Sequence, residues 1–261
     1  MRDPERSTGP RPYEREAKLW LSPERVGAPS TLGVLADEAW GLLWVCAHAP
    51  ASAAPSLKEE VSALRTCDLG SGVRRAVYKM PGGGSALCND IAASPRWGVF
   101  VTDTRAGRVL RLASPDSGLA LWAQGEAFAG ADGVAVSEDS VFVTSVARGS
   151  LLRVPIRADG TAGDPQALET SVPLRRPDGL RNLRDGRLLL SDWELGKVFV
   201  VEVDGRRAVM RTLGGRAGTT AATVARRGCG PRTRNFRRCR RWPAAKPCRS
   251  NHTDCPRHEA S

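Results

Sequence analysis

The sequence predicts an all-β fold, a β-propeller, because one short pattern repeats along the chain at nearly fixed spacing. Three segments begin at Asn89, Asp132 and Asp178, which lie 43 and 46 residues apart. Each segment places a short polar residue just before a strand-length apolar run. A repeat of about 40–50 residues that carries several short strands is typical of propeller blades. A single run of this kind would fit a β-sandwich equally well, and the repeated spacing favours the propeller.

The apolar runs inside each repeat have strand length and end at turn residues. They cover residues 99–101 and 108–112 in the first repeat, 141–143 and 151–156 in the second, and 188–190 and 197–203 in the third. Asp-Gly pairs at 159–160, 185–186 and 204–205 are typical of hairpin turns, because Asp-Gly accommodates positive φ. No sustained 3.6-residue apolar period occurs between residues 89 and 213, so helices are not expected there.

An earlier, fourth unit is predicted upstream of the three repeats. Its strands would lie at residues 33–37, 41–46, 64–68 and 76–78. The Ala-, Pro- and Ser-rich residues 47–56 between them indicate a surface loop.

The positive charge of the chain is concentrated at its C-terminal end. Residues 1–215 carry 27 basic and 26 acidic residues, whereas residues 216–261 carry 12 basic residues and only Asp254 and Glu259 as acidic ones. The sequence therefore divides into a polar segment 1–30, a propeller domain 31–213 and a basic tail 214–261 that is expected to be disordered.

Three interpretations of the tail remain open. It can be a basic arm that binds nucleic acid through phosphate charge, with Phe236 and Trp242 available for stacking. It can hold zinc through its Cys and His residues, although their spacing lacks the usual paired knuckle. It can also result from a reading-frame slip in a GC-rich gene, because Arg, Ala, Pro and Gly dominate it.

Two further expectations follow from the remaining patterns. Residues 1–23 contain no apolar core of signal-peptide length and no run is long enough to span a membrane, so a cytoplasmic protein without membrane contact is expected. Seven scattered cysteines do not suggest a full disulfide framework, and Cys46, Cys67 and Cys88 are expected to be small buried apolar residues rather than reactive ones.

The order of the motifs resembles that of the gluconolactonase and senescence marker protein (regucalcin) family. The residues that carry the resemblance are Asn89-Asp90, Asp132-Gly133 and Pro177-Asp178-Gly179, which stand where the family has Asn-Asp, Asn-Gly and Pro-Asp-Gly. The resemblance covers about residues 31–213 and implies a six-bladed propeller. Those 183 residues suffice for about four blades of this period.

The resemblance also implies a site at the mouth of the channel. It assigns Asp132 and Asp178 as ligands of one divalent cation, Ca²⁺ in the first place and Zn²⁺ in the second, and as candidate general bases. It assigns Asn89 to substrate binding. The family's ligand Glu falls near Leu32 and its substrate-binding Arg falls on Leu87, so one ligand and one contact are replaced by leucine.

Two functions are therefore expected. One is metal-dependent hydrolysis of a small lactone ester, with weak activity because of the two leucines. The alternative is a non-catalytic propeller that binds a partner through its loops.

Overall fold

The computed structural model describes residues 19–48, 62–82 and 85–222, and they form four consecutive antiparallel sheets. Each sheet contains a four-stranded antiparallel meander in which each strand pairs with the next one along the chain. Blade one contains β1 (Ser30–Asp37), β2 (Leu42–His48), β3 (Ser62–Asp68) and β4 (Arg74–Lys79). Blade two contains β5 (Cys88–Ser94), β6 (Gly98–Asp103), β7 (Arg108–Leu112) and β8 (Ala120–Gln124). Blade three contains β9 (Ala131–Val136), β10 (Ser140–Ser145), β11 (Ser150–Pro155) and β12 (Gln166–Ala167).

Blade four has an additional strand at its outer edge. It contains β14 (Pro177–Asn182), β15 (Leu188–Asp192), β16 (Lys197–Asp204) and β17 (Arg207–Gly214), and the short β13 (Glu169–Thr170) pairs with β17 in parallel. The predicted all-β propeller class is confirmed. The sequence missed the outermost strands β8, β12 and β17, because their exposed residues interrupt any continuous apolar run.

The blades pack face to face through apolar side chains from neighbouring sheets. Trp44 and Leu64 of blade one pack with Val99 and Leu110 of blade two in one cluster. Similar clusters join blade two to three and blade three to four. The innermost strands β1, β5, β9 and β14 contact one another in that order. Equivalent positions of the four blades therefore lie side by side along the channel.

Hydroxyl side chains near the end of the second strand in blades two, three and four fix the distance between neighbouring blades. Thr102 Oγ1 donates a hydrogen bond of 2.5 Å to the carbonyl of Asp132 in the next blade, and Thr144 Oγ1 does the same at 2.7 Å to Asp178. The same hydroxyls accept from the backbone N–H of Asp90 and Gly133 in their own blades. These buried groups are thereby satisfied, which makes each hydroxyl a structural joint.

Cys46, Cys67 and Cys88 are all buried as expected, but two of them form a disulfide that the sequence analysis did not predict. Cys46 and Cys88 form a disulfide that joins β2 to β5, and Cys67 is buried and free. The strand registers place Cys46 at the position that Thr102 and Thr144 occupy in the later blades. A covalent bond therefore joins blade one to blade two where hydroxyl hydrogen bonds join the others.

A packed segment precedes residue 31, the predicted start of the propeller domain. A one-turn helix, α1 (Pro23–Val26), starts after the cap Ser22, and Val26 and Ala28 pack against Val45 and Ala47. This segment covers the face of blade one that points away from blade two. In the described part of the chain no helix is long and apolar enough to cross a bilayer. The predicted tail lies outside the described residues from 223 onwards.

Candidate functional site

Each of the four inner strands carries a β-bulge at the same point, and the predicted site residues lie on these bulges. The pairing register shifts between Cys88 and Ile91 in β5, between Ala131 and Val134 in β9, and between Pro177 and Leu180 in β14. The residues inside these shifts include Asn89, Asp132 and Asp178. A bulge leaves a residue out of the ladder and redirects its side chain. The repeated sequence motif therefore marks the position of a β-bulge in each blade.

Glycines that follow the bulge residue allow adjacent bulges to approach closely. A Cβ on Gly133 would lie 2.1 Å from the carbonyl oxygen of Asp178, and one on Gly179 would lie 2.8 Å from the carbonyl oxygen of Thr220. No real Cβ fits at the first distance. The Asp-Gly pairs of blades three and four are thus required by packing between blades and place successive polar residues next to each other.

Asp132 and Asp178 meet at the centre of this arrangement. They share a hydrogen bond, and Asp132 is only 8% exposed. Burial, together with the negative charges of Asp178 and Asp90, raises the pKa of Asp132 to about 8. Burial also raises the pKa of Asp178 to about 6, although the hydrogen bond from Asp132 lowers it. Near neutral pH the pair therefore holds one proton, mainly on Asp132, and Asp178 is ionised.

Asn89 lies at the edge of the same cluster. It is half-buried, it donates a 2.8 Å hydrogen bond from Nδ2 to Thr104 Oγ1, and its hydrogen bond to Asp132 lowers the pKa of that carboxyl. The structure thus brings all three predicted residues together.

A third carboxylate, Asp90, was missed as a site residue by the sequence reasoning. It is buried, its Oδ2 accepts from the Val134 N–H at 3.0 Å, and it forms an ion pair of 2.7 Å with Arg181 Nη1. Burial opposes the charge of Arg181, but Asp90 raises the pKa of this guanidinium above its usual value. The sequence feature that could have identified Asp90 is its position in the repeat, because blades one, three and four have glycine there.

The two leucines that stand at family site positions offer no polar group. Leu32 lies on the bulge of β1 and is 45% exposed. Leu87 precedes β5 and uses its backbone N–H, which donates to Asp103 Oδ1 at 2.9 Å. The described part of the site therefore draws its polar side chains from blades two, three and four.

The side chains of Asp132, Asp178 and Asn89 supply part of the oxygen ligands that a hard divalent cation needs. Within the described residues no group of three or more Asp, Glu, His or Cys side chains is arranged to hold a metal ion. Two carboxylates with raised pKa values and a neighbouring amide are nevertheless the oxygen ligands that Ca²⁺ accepts, with water in its remaining positions. Such a cation would relieve the repulsion that keeps a proton on Asp132.

A cavity of about 600 Å³ lies at the opposite ends of the same inner strands. Its lining residues include Leu35, Ala93, Val136, Arg181 and Asn182, together with Trp40 from the turn after β1. Asn89, Asp132 and Asp178 are at the other ends of these strands. The ion pair of Asp90 and Arg181 stands between the carboxylate cluster and this cavity.

Comparisons with known proteins identify the fold. No family model matches the chain, and no curated protein sequence does. Among solved structures, a gluconolactonase from Xanthomonas campestris is 23% identical, with a TM-score of 0.57 over 74% of this chain and 65% of that one. The chain has a β-propeller fold similar to that of this gluconolactonase.

Other propellers share the same architecture at lower identity. A streptogramin B lyase is 14% identical with a TM-score of 0.52, and a luciferin-regenerating enzyme is 11% identical with a TM-score of 0.50. The chain spans 53% of the length of that lyase and 65% of the gluconolactonase. These likenesses confirm the propeller and its resemblance to the gluconolactonase type at the level of fold.

Proposed function

We propose that the protein is a metal-dependent hydrolase that opens a small lactone ester. The observation that carries this proposal is the hydrogen-bonded pair of Asp132 and Asp178 on adjacent bulges, with the pKa of Asp178 at about 6 and that of Asp132 at about 8. Asp178, which is ionised near neutral pH, supplies a base, and a bound cation would take the place of the proton on Asp132. The fold shared with a gluconolactonase supports the choice of substrate class.

Asp132 and Asp178 would hold the cation, Ca²⁺ in the first place and Zn²⁺ in the second. When bound, the cation supplies Lewis acidity toward the lactone carbonyl. Asp178 is ionised at neutral pH. It accepts a proton from the attacking water while the water oxygen forms a bond to the carbonyl carbon. The bond between that carbon and the ring oxygen then breaks, and the ring oxygen takes the proton. Asn89 orients the substrate through its side-chain amide.

A second function is favoured by the two leucines. Leu32 and Leu87 bring an apolar side chain to the positions where the family resemblance places a ligand and a substrate contact. A propeller with such a site can bind a partner through its loops without turnover. The same leucines predict that any lactonase activity is weak.

An assay of aldonolactone hydrolysis combined with a thermal-shift titration of Ca²⁺ and Zn²⁺ tests the proposal. The parent protein should be stabilised by the cation, by about 2.7 kcal/mol at a hundred times the dissociation constant, and should hydrolyse the lactone slowly. Asp178→Asn should abolish both effects. Asp204→Asn, which alters an exposed turn carboxylate of the same blade, is the matched control and should change neither. Parent protein without a metal shift and without turnover would favour the partner-binding function.

A further inference from the structure

The segment that follows blade four repeats the contacts of an inner-strand bulge. The carbonyl of Thr220 accepts from Ser191 Oγ at 2.7 Å, as the carbonyl of Asp178 accepts from Thr144 Oγ1 at 2.7 Å. Ser191 occupies in β15 the position that Thr144 occupies in β10. The hydroxyl joint between blades thus occurs once more, beyond the last complete blade.

The packing at the glycines gives the same equivalence. One backbone hydrogen bond to Thr220 is found in blade four alone, because the Gly133 N–H of blade three donates to Thr144 Oγ1 instead. The backbone N–H of Gly179 donates to the carbonyl of Thr220 at 2.9 Å. The missing Cβ of Gly179 leaves room for that carbonyl, as the missing Cβ of Gly133 does for the carbonyl of Asp178. Thr220 therefore packs against blade four in the way that Asp178 packs against blade three.

The turn that brings the chain to this place is closed by its own hydrogen bonds. Thr219 Oγ1 donates to the carbonyl of Arg216 at 2.7 Å, and the backbone N–H of Thr219 donates to the same carbonyl at 3.1 Å. Gly196 lies beside this turn, because a Cβ added there would meet the backbone of Ala217 at 3.0 Å. The chain after β17 is thus returned to the channel end where the bulges lie.

We infer that Thr220 is a further binding residue of the candidate site, in the fifth position of the row formed by Leu32, Asn89, Asp132 and Asp178. Its side chain is exposed, so its hydroxyl is accessible to a ligand. A neutral hydroxyl at this position of the row adds a hydrogen-bond donor and acceptor without adding charge. A polyhydroxylated lactone is the class of ligand that such a group suits. This role rests on the proposed function, whereas the placement of Thr220 does not.

The placement is tested first, by hydrogen exchange on the full chain. Gly179→Ala should push the Thr220 carbonyl away and raise the exchange rate of the residue-179 amide at least tenfold. Gly214→Ala is the matched control, because a Cβ there meets nothing within 4 Å, and it should leave that amide unchanged. Ser191→Ala removes only the hydroxyl joint and should raise the same exchange rate with the fold retained. An exchange rate that is unaltered in both Gly179→Ala and Ser191→Ala would overturn the placement.

The role is tested by binding of an aldonolactone, measured by calorimetry and by KM where turnover exists. Thr220→Val should weaken binding about three- to tenfold, the effect of one lost hydrogen bond, and Thr220→Ser should restore it. Thr212→Val on the exposed part of β17 should leave binding within twofold. Equal binding by Thr220→Val and the parent would refute the role of Thr220. If the parent binds no lactone, the proposed function and the role fall together, while the exchange result still decides the placement.

Discussion

The carboxyl of Asp132 differs most from an ordinary surface aspartate. Its pKa in the folded protein is about 8, against an ordinary value of 3.8, because burial and the neighbouring carboxylates disfavour its charge. Between these values the folded protein binds a proton that the unfolded chain lacks. This proton therefore makes its full contribution to the free energy of unfolding below pH 4. The contribution is lost progressively as the pH rises from 4 through 8.

This linkage gives a prediction for metal-free protein. The free energy of unfolding should fall between pH 6 and pH 8 with a slope approaching about 1.4 kcal/mol per pH unit. Asp132→Asn should flatten the slope, and the exposed control Asp204→Asn should retain it. Urea unfolding in the presence of a chelator measures both. A parent slope of zero would show that Asp132 is already ionised in the folded protein.

The ion pair of Asp90 and Arg181 gives a second prediction at this scale. Arg181→Met leaves the carboxylate of Asp90 buried and without its cation, which should cost about 3 kcal/mol of unfolding free energy. Arg187→Met breaks an exposed pair with Asp185 and should cost less than about 1 kcal/mol. Denaturant midpoints compare the two variants. Adding Asp90→Asn to Arg181→Met should recover part of the loss, and a further loss would contradict this account.

The hydroxyl joints between blades are the elements that hold the bulges at the right spacing. Thr144 Oγ1 satisfies the Gly133 N–H and the carbonyl of Asp178 together. Thr144→Val keeps the shape but leaves both groups unpaired, so it should cost about 2 kcal/mol and reduce the metal-induced thermal shift. Thr212→Val, on an exposed strand, should do neither. If Thr144→Val destabilises the protein but leaves the metal-induced thermal shift unchanged, this hydroxyl does not position the site.

The disulfide of Cys46 and Cys88 performs the same joining role between blades one and two. It closes a sequence separation of 42 residues, for which the chain-entropy relation gives about 4 kcal/mol. The double variant Cys46→Ala/Cys88→Ala should therefore unfold at lower urea concentration than the parent under non-reducing conditions. Cys67→Ala, at a buried free thiol, controls for the loss of sulfur volume. If reduction leaves the parent's urea midpoint unchanged, the bond contributes no stability.

The whole molecule shows which features can be read from a sequence. The blade count of the described region, the inner strands and the gathering of Asn89, Asp132 and Asp178 followed from a repeat, because the bulge imposes the same residue types each time. The outer strands, the disulfide and Asp90 did not follow. Exposure conceals the outer strands, and the position of Cys46 and Cys88 depends on contacts between blades. Asp90 departs from the glycine that the other blades carry there.

The central claim is that bulges on successive inner strands bring Asp132 and Asp178 to one cation. A crystal structure of protein soaked with Mn²⁺, a cation that oxygen ligands also hold and that scatters anomalously, tests this claim most directly. The account predicts one anomalous peak bound to carboxylate oxygens of both Asp132 and Asp178, with the side-chain oxygen of Asn89 within about 8 Å of these carboxylates, near enough for one hydrated ion. A peak bound elsewhere, or the three side chains at different ends of the channel, would contradict it.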